Sequence, residues 1–269
     1  MRRARTIAGV RAALEPLRDS LVGLVPTMGA IHEGHLSLVA AARSECDTVV
    51  VSIFVNPAQF GASEDLEWYP RDEERDLRLL EEAGVDLVFL PPEAEIYPNG
   101  FQTWVEVTEL SRGLEGEFRP GHFRGVATVC LKLFNIVRPD RVYFGQKDAQ
   151  QTEVIERMIV DLDLEIELRV AETVRDADSV ALSSRNALLS QEEREAARAL
   201  PRALFAGELA YRRGEDPVAA ARNRLAEEPR LAPDYVELAE WNGRVVLAAA
   251  VRAGKTRLID NVVLEGAAR

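Results

Sequence analysis

The first 170 residues alternate between short apolar runs and longer segments whose apolar residues recur at helical spacing. Leu21–Pro26 and Thr48–Val55 are almost uninterrupted apolar runs, which is typical of strands covered on both faces of a parallel sheet. Leu87–Leu90, Arg141–Phe144 and Glu165–Val170 are predicted to be further strands. The pattern therefore indicates a sheet whose strands are separated by helices.

The helical segments complete repeated strand–helix units. They are predicted over Ile7–Leu17, around Leu36–Arg43, and over Asp72–Gly84, Phe123–Val137 and Gln150–Asp161. Repeated units of this kind with short connections predict an α/β fold with a Rossmann-like, doubly wound parallel sheet.

The pattern changes after residue 174. Ser190–Glu193 forms a capping box that opens helical segments reaching about Gly214, and a further helix is predicted over 216–228. Three strands follow, over Tyr235–Glu240, Val245–Val251 and Arg257–Val263, and Asn242-Gly243 between the first two is a strong hairpin signal. We therefore predict a Rossmann-like domain over residues 1–174 and a smaller α+β domain over 175–269, with a three-stranded antiparallel sheet.

Composition narrows the function classes. The chain has 269 residues, 47% of them hydrophobic, and a net charge of −12, which argues against a nucleic-acid-binding surface. Its longest apolar run, Val245–Val251, is far shorter than the roughly 20 residues of a spanning helix. Cys46 and Cys130 are predicted to be reduced core residues. The basic N-terminus continues as a helix rather than a targeting peptide, so we expect a cytoplasmic protein.

Four predicted strands are followed by loops in which glycine stands beside polar residues. These loops cover residues 26–35, 56–61, 145–151 and 182–186. Ligands of open α/β sheets bind beyond the carboxyl ends of the strands, so the four loops predict an active site.

The first loop carries two of the three histidines of the chain. Its glycines allow close backbone approach, and the helix that follows presents its positive N-terminus to an anion. His32 and His35 are three residues apart and can face one side of the first turn, where they would stabilise phosphate charge. A His-x-x-His pair can also bind a metal, but no third ligand stands nearby at suitable spacing.

The other loops add cations and neutral polar groups. Only three of the 33 basic residues are lysines, and Lys147 directly follows a strand, which suits a nucleotide phosphate. Ser183, Ser184 and Arg185 form a candidate phosphate clamp. Amide side chains suited to a small polar substrate are provided by Gln59 and Gln151. Asp76 is either a metal ligand or an ordinary acidic residue that complements the helix dipole in the first turn of a helix.

Six segments in the same order resemble the pantothenate synthetase (pantoate–β-alanine ligase) family, which shares its His-x-Gly-His element with nucleotidylyltransferases. They are residues 26–35, 54–61, 69–71, 119–125, 144–148 and 182–186. The resemblance implies joining of (R)-pantoate to β-alanine through a pantoyl adenylate, with ATP and Mg²⁺ and release of AMP and pyrophosphate. It also implies a homodimer in the cytoplasm with a C-terminal lid, and neither nucleic acid nor membrane as a partner.

The resemblance also assigns site residues. It implies a proton-donor role for His35, pantoate binding by Gln59 and Gln151, and a place near the metal for Asp76. Arg75 and Leu79 replace polar residues that some members use around Mg²⁺. The implied ATP-binding residues are Met28, Gly29, Ala30, Ile31, His32, Glu33, Gly34, His35, Gly145, Gln146, Lys147, Asp148, Val174, Leu182, Ser183, Ser184 and Arg185.

Three other functions compete with this interpretation. Another nucleotidylyltransferase acting on a phosphate acceptor would need more cations near Gln59 and Gln151. A tRNA-charging domain would need a basic face and an anticodon-binding domain, which the sequence does not suggest. A nucleotide sensor without catalysis would tolerate loss of His35 or Lys147, and both are present.

Overall fold

The computed structural model describes residues 1–17, 19–61, 66 and 68–264. The chain divides into two compact units. The N-terminal unit comprises Met1–Gly145 and Gln150–Glu172, and the C-terminal unit comprises Gln146–Ala149 and Thr173–Arg269. The four residues 146–149 thus belong with the C-terminal unit, although the predicted boundary lies at 174/175. The roles given to the two predicted domains stay predictions.

The N-terminal unit contains six parallel strands and the helices between them. The strands are β1 (Arg2–Ala4), β2 (Val22–Thr27), β3 (Thr48–Ile53), β4 (Leu87–Phe89), β5 (Arg141–Gly145) and β6 (Glu167–Ala171). The helices are α1 (Ile7–Leu14), α2 (Glu33–Glu45), α3 (Glu73–Glu82), α4 (Glu93–Ile96), α5 (Glu115–Phe118), α6 (His122–Val137) and α7 (Ala149–Asp161), the last of which begins at Ala149 of the C-terminal unit.

The sheet has the order β1-β4-β3-β2-β5-β6, and every pairing is parallel. The predicted doubly wound sheet is therefore confirmed. Its central strands are buried, as their apolar runs predict, because helices cover both faces. The order reverses at β2, which has β3 on one side and β5 on the other. Such a reversal is the usual place for a ligand in this class of fold.

The strand β1 is absent from the sequence-based prediction. Its three residues extend the sheet beside β4, with Arg2 opposite Leu87 and Ala4 opposite Phe89. Arg2 and Arg3 are exposed, so the segment lacks the apolar pattern of the other strands. The backbone pairing, rather than side-chain burial, makes this segment a strand.

The C-terminal unit is built from helices and an antiparallel sheet, as predicted. Its helices are α8 (Gln191–Ala197), α9 (Ala199–Arg212) and α10 (Pro217–Leu225), and its strands are β7 (Leu231–Trp241), β8 (Arg244–Ala253) and β9 (Thr256–Leu264), in that order in the sheet. The Ser190–Glu193 capping box is present. Asn242 and Gly243 have φ of 50° and 75°, as the predicted two-residue hairpin requires.

Both cysteines lie in the core as free thiols, which confirms the prediction. Burial raises the pKa of the Cys130 thiol to about 12. The Cys46 sulfur lies 3.2 Å from the Tyr143 hydroxyl. In the part of the chain that the structure describes, no helix has the length and apolar character needed to cross a membrane.

Candidate active site

Two loops of the N-terminal unit leave neighbouring strands at the same edge of the sheet. The histidine loop, residues 28–35, follows β2, and the turn Pro57–Gln59 lies just beyond β3. Because β2 and β3 are paired in parallel, their carboxyl ends meet at one edge. This edge lies at the reversal of strand order, so the sequence-predicted loops stand where a ligand is expected.

His32 is the N-cap of α2. Its Nδ1 accepts a hydrogen bond from the Gly34 N–H at 3.1 Å, so a neutral His32 ring carries its proton on Nε2. The His32 and His35 rings are stacked, with centroids 4.0 Å apart. The predicted common face of the two histidines is therefore present, on a helix turn whose positive end favours a bound anion.

The backbone of the histidine loop is held by two side chains of α3. Both oxygens of the Asp76 carboxylate accept backbone N–H groups, from Ile31 at 2.7 Å and from Ala30 at 2.8 Å. Arg75 donates to the carbonyl of Ile31 at 2.9 Å. Burial raises the pKa of Asp76, although the two N–H groups oppose that shift. The loop thus keeps its shape through contacts from α3.

Gly29 meets a steric requirement in the same loop. Its φ is +81°, and a Cβ there would lie 3.0 Å from an Asp76 oxygen and 3.1 Å from Ile53. Ala30 has a positive φ of 50°, a conformation that costs energy for any residue with a side chain. The bonds to Asp76 and Arg75 stabilise this strained backbone.

Asp76 is not arranged as a ready metal ligand. It is 1% exposed, and both of its oxygens already accept backbone hydrogen bonds. Its nearest charged neighbour is a cation, Arg75, at 3.7 Å. Among the described residues, no group of three or more His, Cys, Asp or Glu side chains could hold a metal ion. The described side chains therefore do not fit a resident metal, and the metal role of Asp76 stays a prediction.

Gln59 is buried and its amide group is engaged on both sides. Its Nε2 donates to the sulfur of Met28 at 3.2 Å, and its Oε1 accepts from Asn56 at 3.1 Å. The backbone carbonyl of Gln59 lies 2.9 Å from Nδ1 of His122, at the start of α6. Gly125 allows this close packing, because a Cβ there would lie 2.3 Å from the Ala58 carbonyl oxygen.

Asn56 and His122 therefore support a candidate substrate residue, and the sequence-based prediction gave them no role. Asn56 also accepts a hydrogen bond from the Tyr97 hydroxyl at 2.8 Å and donates to the Gly125 carbonyl at 3.1 Å. The position of Asn56 directly after a predicted strand, and the scarcity of histidine, were the available signals. Neither signal identifies Tyr97 and Gly125 as partners of Asn56, because they lie 41 and 69 residues away along the chain.

Gln150 and Gln151 are neighbours with different surroundings. Gln150 is buried, its Nε2 donates to the carbonyls of Leu110 and Gly113, and its Oε1 accepts from the Glu115 N–H. Gln151 is half-buried on the next position of α7. Gln150 thus holds a loop of the protein, which leaves Gln151 as the better candidate for a substrate.

Lys147 lies in the C-terminal unit, in the lysine turn Gln146–Asp148, which directly follows β5. Its side chain is 18% exposed, and its ammonium lies 3.6 Å from the Asp148 carboxylate. The turn therefore presents a partly buried cation, and its contact with a phosphate stays a prediction.

The serine loop, residues 182–186, also lies in the C-terminal unit. The Ser183 hydroxyl accepts a hydrogen bond from the Arg185 N–H at 3.3 Å. Asn186 donates to the Ala181 carbonyl at 3.0 Å, and the Leu182 N–H bonds to the Val174 carbonyl at 2.9 Å. Side-chain and backbone bonds thus hold this loop from within.

The predicted site residues therefore divide between the two units. His32, His35, Gln59, Asp76 and Gln151 belong to the N-terminal unit, and Lys147, Val174, Ser183, Ser184 and Arg185 belong to the C-terminal unit. The first set combines histidines with amides, and the second combines cations with hydroxyls.

Comparison with known proteins decides the family. A family model described as pantoate–β-alanine ligase matches residues 2–263. The chain belongs to the pantoate–β-alanine ligase family. This family membership confirms the resemblance, and the activity of the family, ATP-dependent ligation of pantoate with β-alanine, is the activity of this chain.

Individual members of the pantoate–β-alanine ligase family match over nearly the whole chain. A pantothenate synthetase of Acidobacterium capsulatum is 52% identical over 290 residues, covering 98% of this chain and 97% of the relative. The structure of a Thermus thermophilus pantothenate synthetase matches with a TM-score of 0.94 and 45% identity, covering 98% and 99% of the two chains. A Francisella tularensis pantoate–β-alanine ligase, solved with β-γ ATP and β-alanine, has a TM-score of 0.84 and 35% identity, covering 98% and 97%.

Proposed function

We propose that the ligation proceeds in two steps through a pantoyl adenylate. A carboxylate oxygen of (R)-pantoate attacks the α-phosphorus of ATP, and the bond to the β-phosphate breaks to release pyrophosphate. The amine of β-alanine then attacks the carbonyl carbon of the mixed anhydride, expels AMP and loses a proton. The observation that carries this proposal is the stacked pair His32 and His35, on a helix N-terminus at the reversal of strand order.

The proposed roles follow from the charge that develops in the first step. Negative charge grows on the phosphates as pyrophosphate leaves, so hydrogen-bond donors and cations placed there lower the barrier. We assign this role to His32, His35, Lys147 and the serine-loop residues Ser183, Ser184 and Arg185. The stacking of the His32 and His35 rings at the N-terminus of α2 supports the assignment, because that end of the helix favours a bound anion.

We assign pantoate binding to Gln59 and Gln151. Amide side chains can bind a carboxylate and hydroxyl groups without adding a charge that would compete for the phosphates. The fixed position of Gln59 between Asn56 and Met28 supports its role, because a pre-oriented amide loses little entropy on binding.

The Mg²⁺ of the reaction is proposed to enter as Mg·ATP, as part of the substrate. Phosphate oxygens and water commonly provide most of the ligands of a nucleotide-bound Mg²⁺, which then needs few carboxylates. The engagement of both Asp76 oxygens with the histidine loop supports this route.

The C-terminal unit is proposed to act as the lid that shields the adenylate, an anhydride sensitive to water. The homodimer and the cytoplasmic location implied by the resemblance stay predictions. Sedimentation velocity of the purified chain tests the homodimer, for which a single species of twice 29.8 kDa is expected.

A product assay tests the proposed function. ATP, Mg²⁺, (R)-pantoate and β-alanine are supplied together and then with each omitted in turn. Pantothenate and continuous release of AMP and pyrophosphate are expected only from the complete mixture, whereas exchange of labelled pyrophosphate into ATP is expected with pantoate and without β-alanine. Formation of ADP and phosphate would contradict attack at the α-phosphorus.

A further inference from the structure

The lysine turn is held by a residue of the last strand. The side-chain amide of Asn261 on β9 donates to the backbone carbonyls of Gln146 and Lys147, both at 2.9 Å. Its oxygen accepts from the side-chain amide of Gln146 at 3.0 Å. Asn261 is 4% exposed, so these three bonds form away from water, where an unpaired carbonyl is costly.

Asp260, the residue before Asn261, connects β9 to Arg175. Arg175 lies a few residues before the serine loop in the chain. The Asp260 carboxylate forms a two-bond ion pair with Arg175, at 2.6 and 2.9 Å. The Arg175 guanidinium also donates to the Ser179 carbonyl at 3.0 Å and lies 5.1 Å from the centre of the Phe205 ring. Asp260 also accepts the backbone N–H of Asn261 at 2.8 Å, so the two strand residues support each other.

The two buried polar residues interrupt the alternation expected of a strand. Asp260 and Asn261 are consecutive and both are buried, whereas a strand with one buried face would expose one of them. Apolar residues could fill both positions at lower desolvation cost. The polar pair is explained by what it contacts, since Asn261 bonds to the lysine turn and Asp260 bonds to Arg175, which precedes the serine loop in the chain.

We propose that Asn261 is a positioning residue for Lys147, acting through the backbone of the lysine turn, with the Asp260–Arg175 pair holding Asn261 in place. This inference rests on the phosphate role proposed for Lys147. The amide is suited to the task because it donates to two carbonyls without carrying a charge. A carboxylate at the same place could not donate, and it would attract the Lys147 ammonium away from a phosphate.

The size of the effect follows from how sharply catalysis depends on geometry. Displacement of a catalytic group by about 1 Å can slow a reaction about 100-fold. We therefore expect Asn261→Ala to slow pantoate-dependent exchange of pyrophosphate into ATP by about 10- to 100-fold, with a higher KM for ATP. The KM for β-alanine in the second step is expected to stay unchanged. Asn261→Asp is expected to lose more activity than Asn261→Ala.

Because the chain has few lysines, NMR can report the environment of the Lys147 side chain separately from the others. The chain has three lysines, Lys132, Lys147 and Lys255, so a protein labelled with ¹³C at lysine Cε gives three NMR signals, which single Lys→Arg variants assign. In Asn261→Ala, we expect the Lys147 signal to move and its response to Mg·ATP to fall. The Lys132 signal is the internal reference, because Lys132 lies on α6 in the N-terminal unit.

Asn223→Ala is the matched control, because Asn223 is an exposed asparagine on α10 of the same unit. It should leave the Lys147 signal and the exchange rate as they are in the unaltered protein. Circular dichroism at the assay temperature checks that each variant is folded, and Asn261→Ser, which adds no buried charge, replaces Asn261→Ala if that variant does not fold.

The possible results distinguish the positioning role of Asn261 from the phosphate role of Lys147. A folded Asn261 variant with an unchanged Lys147 signal and an unchanged exchange rate would overturn the positioning role. Lys147→Met with normal exchange would instead remove the proposed role of Lys147, and the inference with it. Loss of exchange in Lys147→Met, together with a shifted Lys147 signal and slower exchange in Asn261→Ala, is the expected result.

Discussion

The histidine loop and the lysine turn both follow a strand of the same parallel sheet, yet different parts of the chain support them. Asp76, about 45 residues away, holds N–H groups of the histidine loop with a carboxylate. Asn261, about 115 residues away, holds carbonyls of the lysine turn with an amide. In both places a buried side chain bonds to the main chain of the segment that carries the functional group. The chemistry of each supporting residue therefore matches the backbone groups that it holds, N–H groups for Asp76 and carbonyls for Asn261.

Loss of either functional group is expected to have the largest effect, and on the same step. His35→Ala and Lys147→Ala should each slow pyrophosphate exchange by about 10²- to 10³-fold, because each removes a donor to developing phosphate charge. Thermal unfolding should change little. Near-normal turnover of His35→Ala, or a Lys147→Ala defect confined to the β-alanine step, would show that the two segments do not serve a common reaction step.

The next largest effect is expected from Gln151→Ala. It should raise the KM for pantoate by about 10- to 100-fold, since a hydrogen bond to a charged group is worth about 1.5–3 kcal/mol, while ATP binding changes little. Gln150→Ala is the companion variant. It should lower the free energy of unfolding, because it leaves the carbonyls of Leu110 and Gly113 without their donor. Equal losses of pantoate and ATP binding in Gln151→Ala would contradict the assignment.

Asp76→Asn tests the support of the histidine loop. The amide retains one acceptor but turns its NH₂ group towards a backbone N–H, so we expect a loss of about 1–3 kcal/mol in the free energy of unfolding. The KM for ATP should rise. At constant Mg·ATP, the dependence of the rate on free Mg²⁺ should keep its midpoint. A shifted midpoint would show instead that Asp76 is a metal ligand.

The NMR signals of the three histidines test the effect of Asp76→Asn on the histidine loop without an activity measurement. The His32 and His35 imidazole signals should move in Asp76→Asn, because both lie in the loop that Asp76 holds. The His122 signal should move less, since His122 lies on α6 and contacts the Gln59 carbonyl rather than the backbone that Asp76 holds. Unmoved His32 and His35 signals would contradict the supporting role of Asp76.

Ser179→Gly should have the smallest effect of these variants, and it should raise the free energy of unfolding rather than lower it. Ser179 has a φ of 69°, in the region that favours glycine. Relief of that strain should raise the free energy of unfolding by about 0.5–1 kcal/mol, after the greater flexibility of unfolded glycine is subtracted. Chemical denaturation measures it, and a destabilised variant would show that the serine side chain contributes a contact worth more than the strain.

Much of the architecture could be predicted because its signals are local. The central strands are almost entirely apolar, and Asn242-Gly243 specifies a two-residue hairpin by its backbone preferences alone. The histidine loop was recognisable because its glycines, its histidines and the helix start lie within ten residues. The edge strand β1 was not recognisable, because a basic segment becomes a strand only when β4 provides its backbone partners.

The sequence by itself determined the alternation of strands and helices, the parallel sheet, and the segments that carry His35, Lys147 and the serine loop. These features depend on residues within one or two turns of each other, and on the family resemblance that the ordered segments carry. Only the tertiary structure decided which buried polar residues hold those segments in place. Asp76, His122 and Asn261 resemble ordinary polar residues in the sequence, because a hydrogen bond depends on distance in space, and their partners lie 45 to 115 residues away.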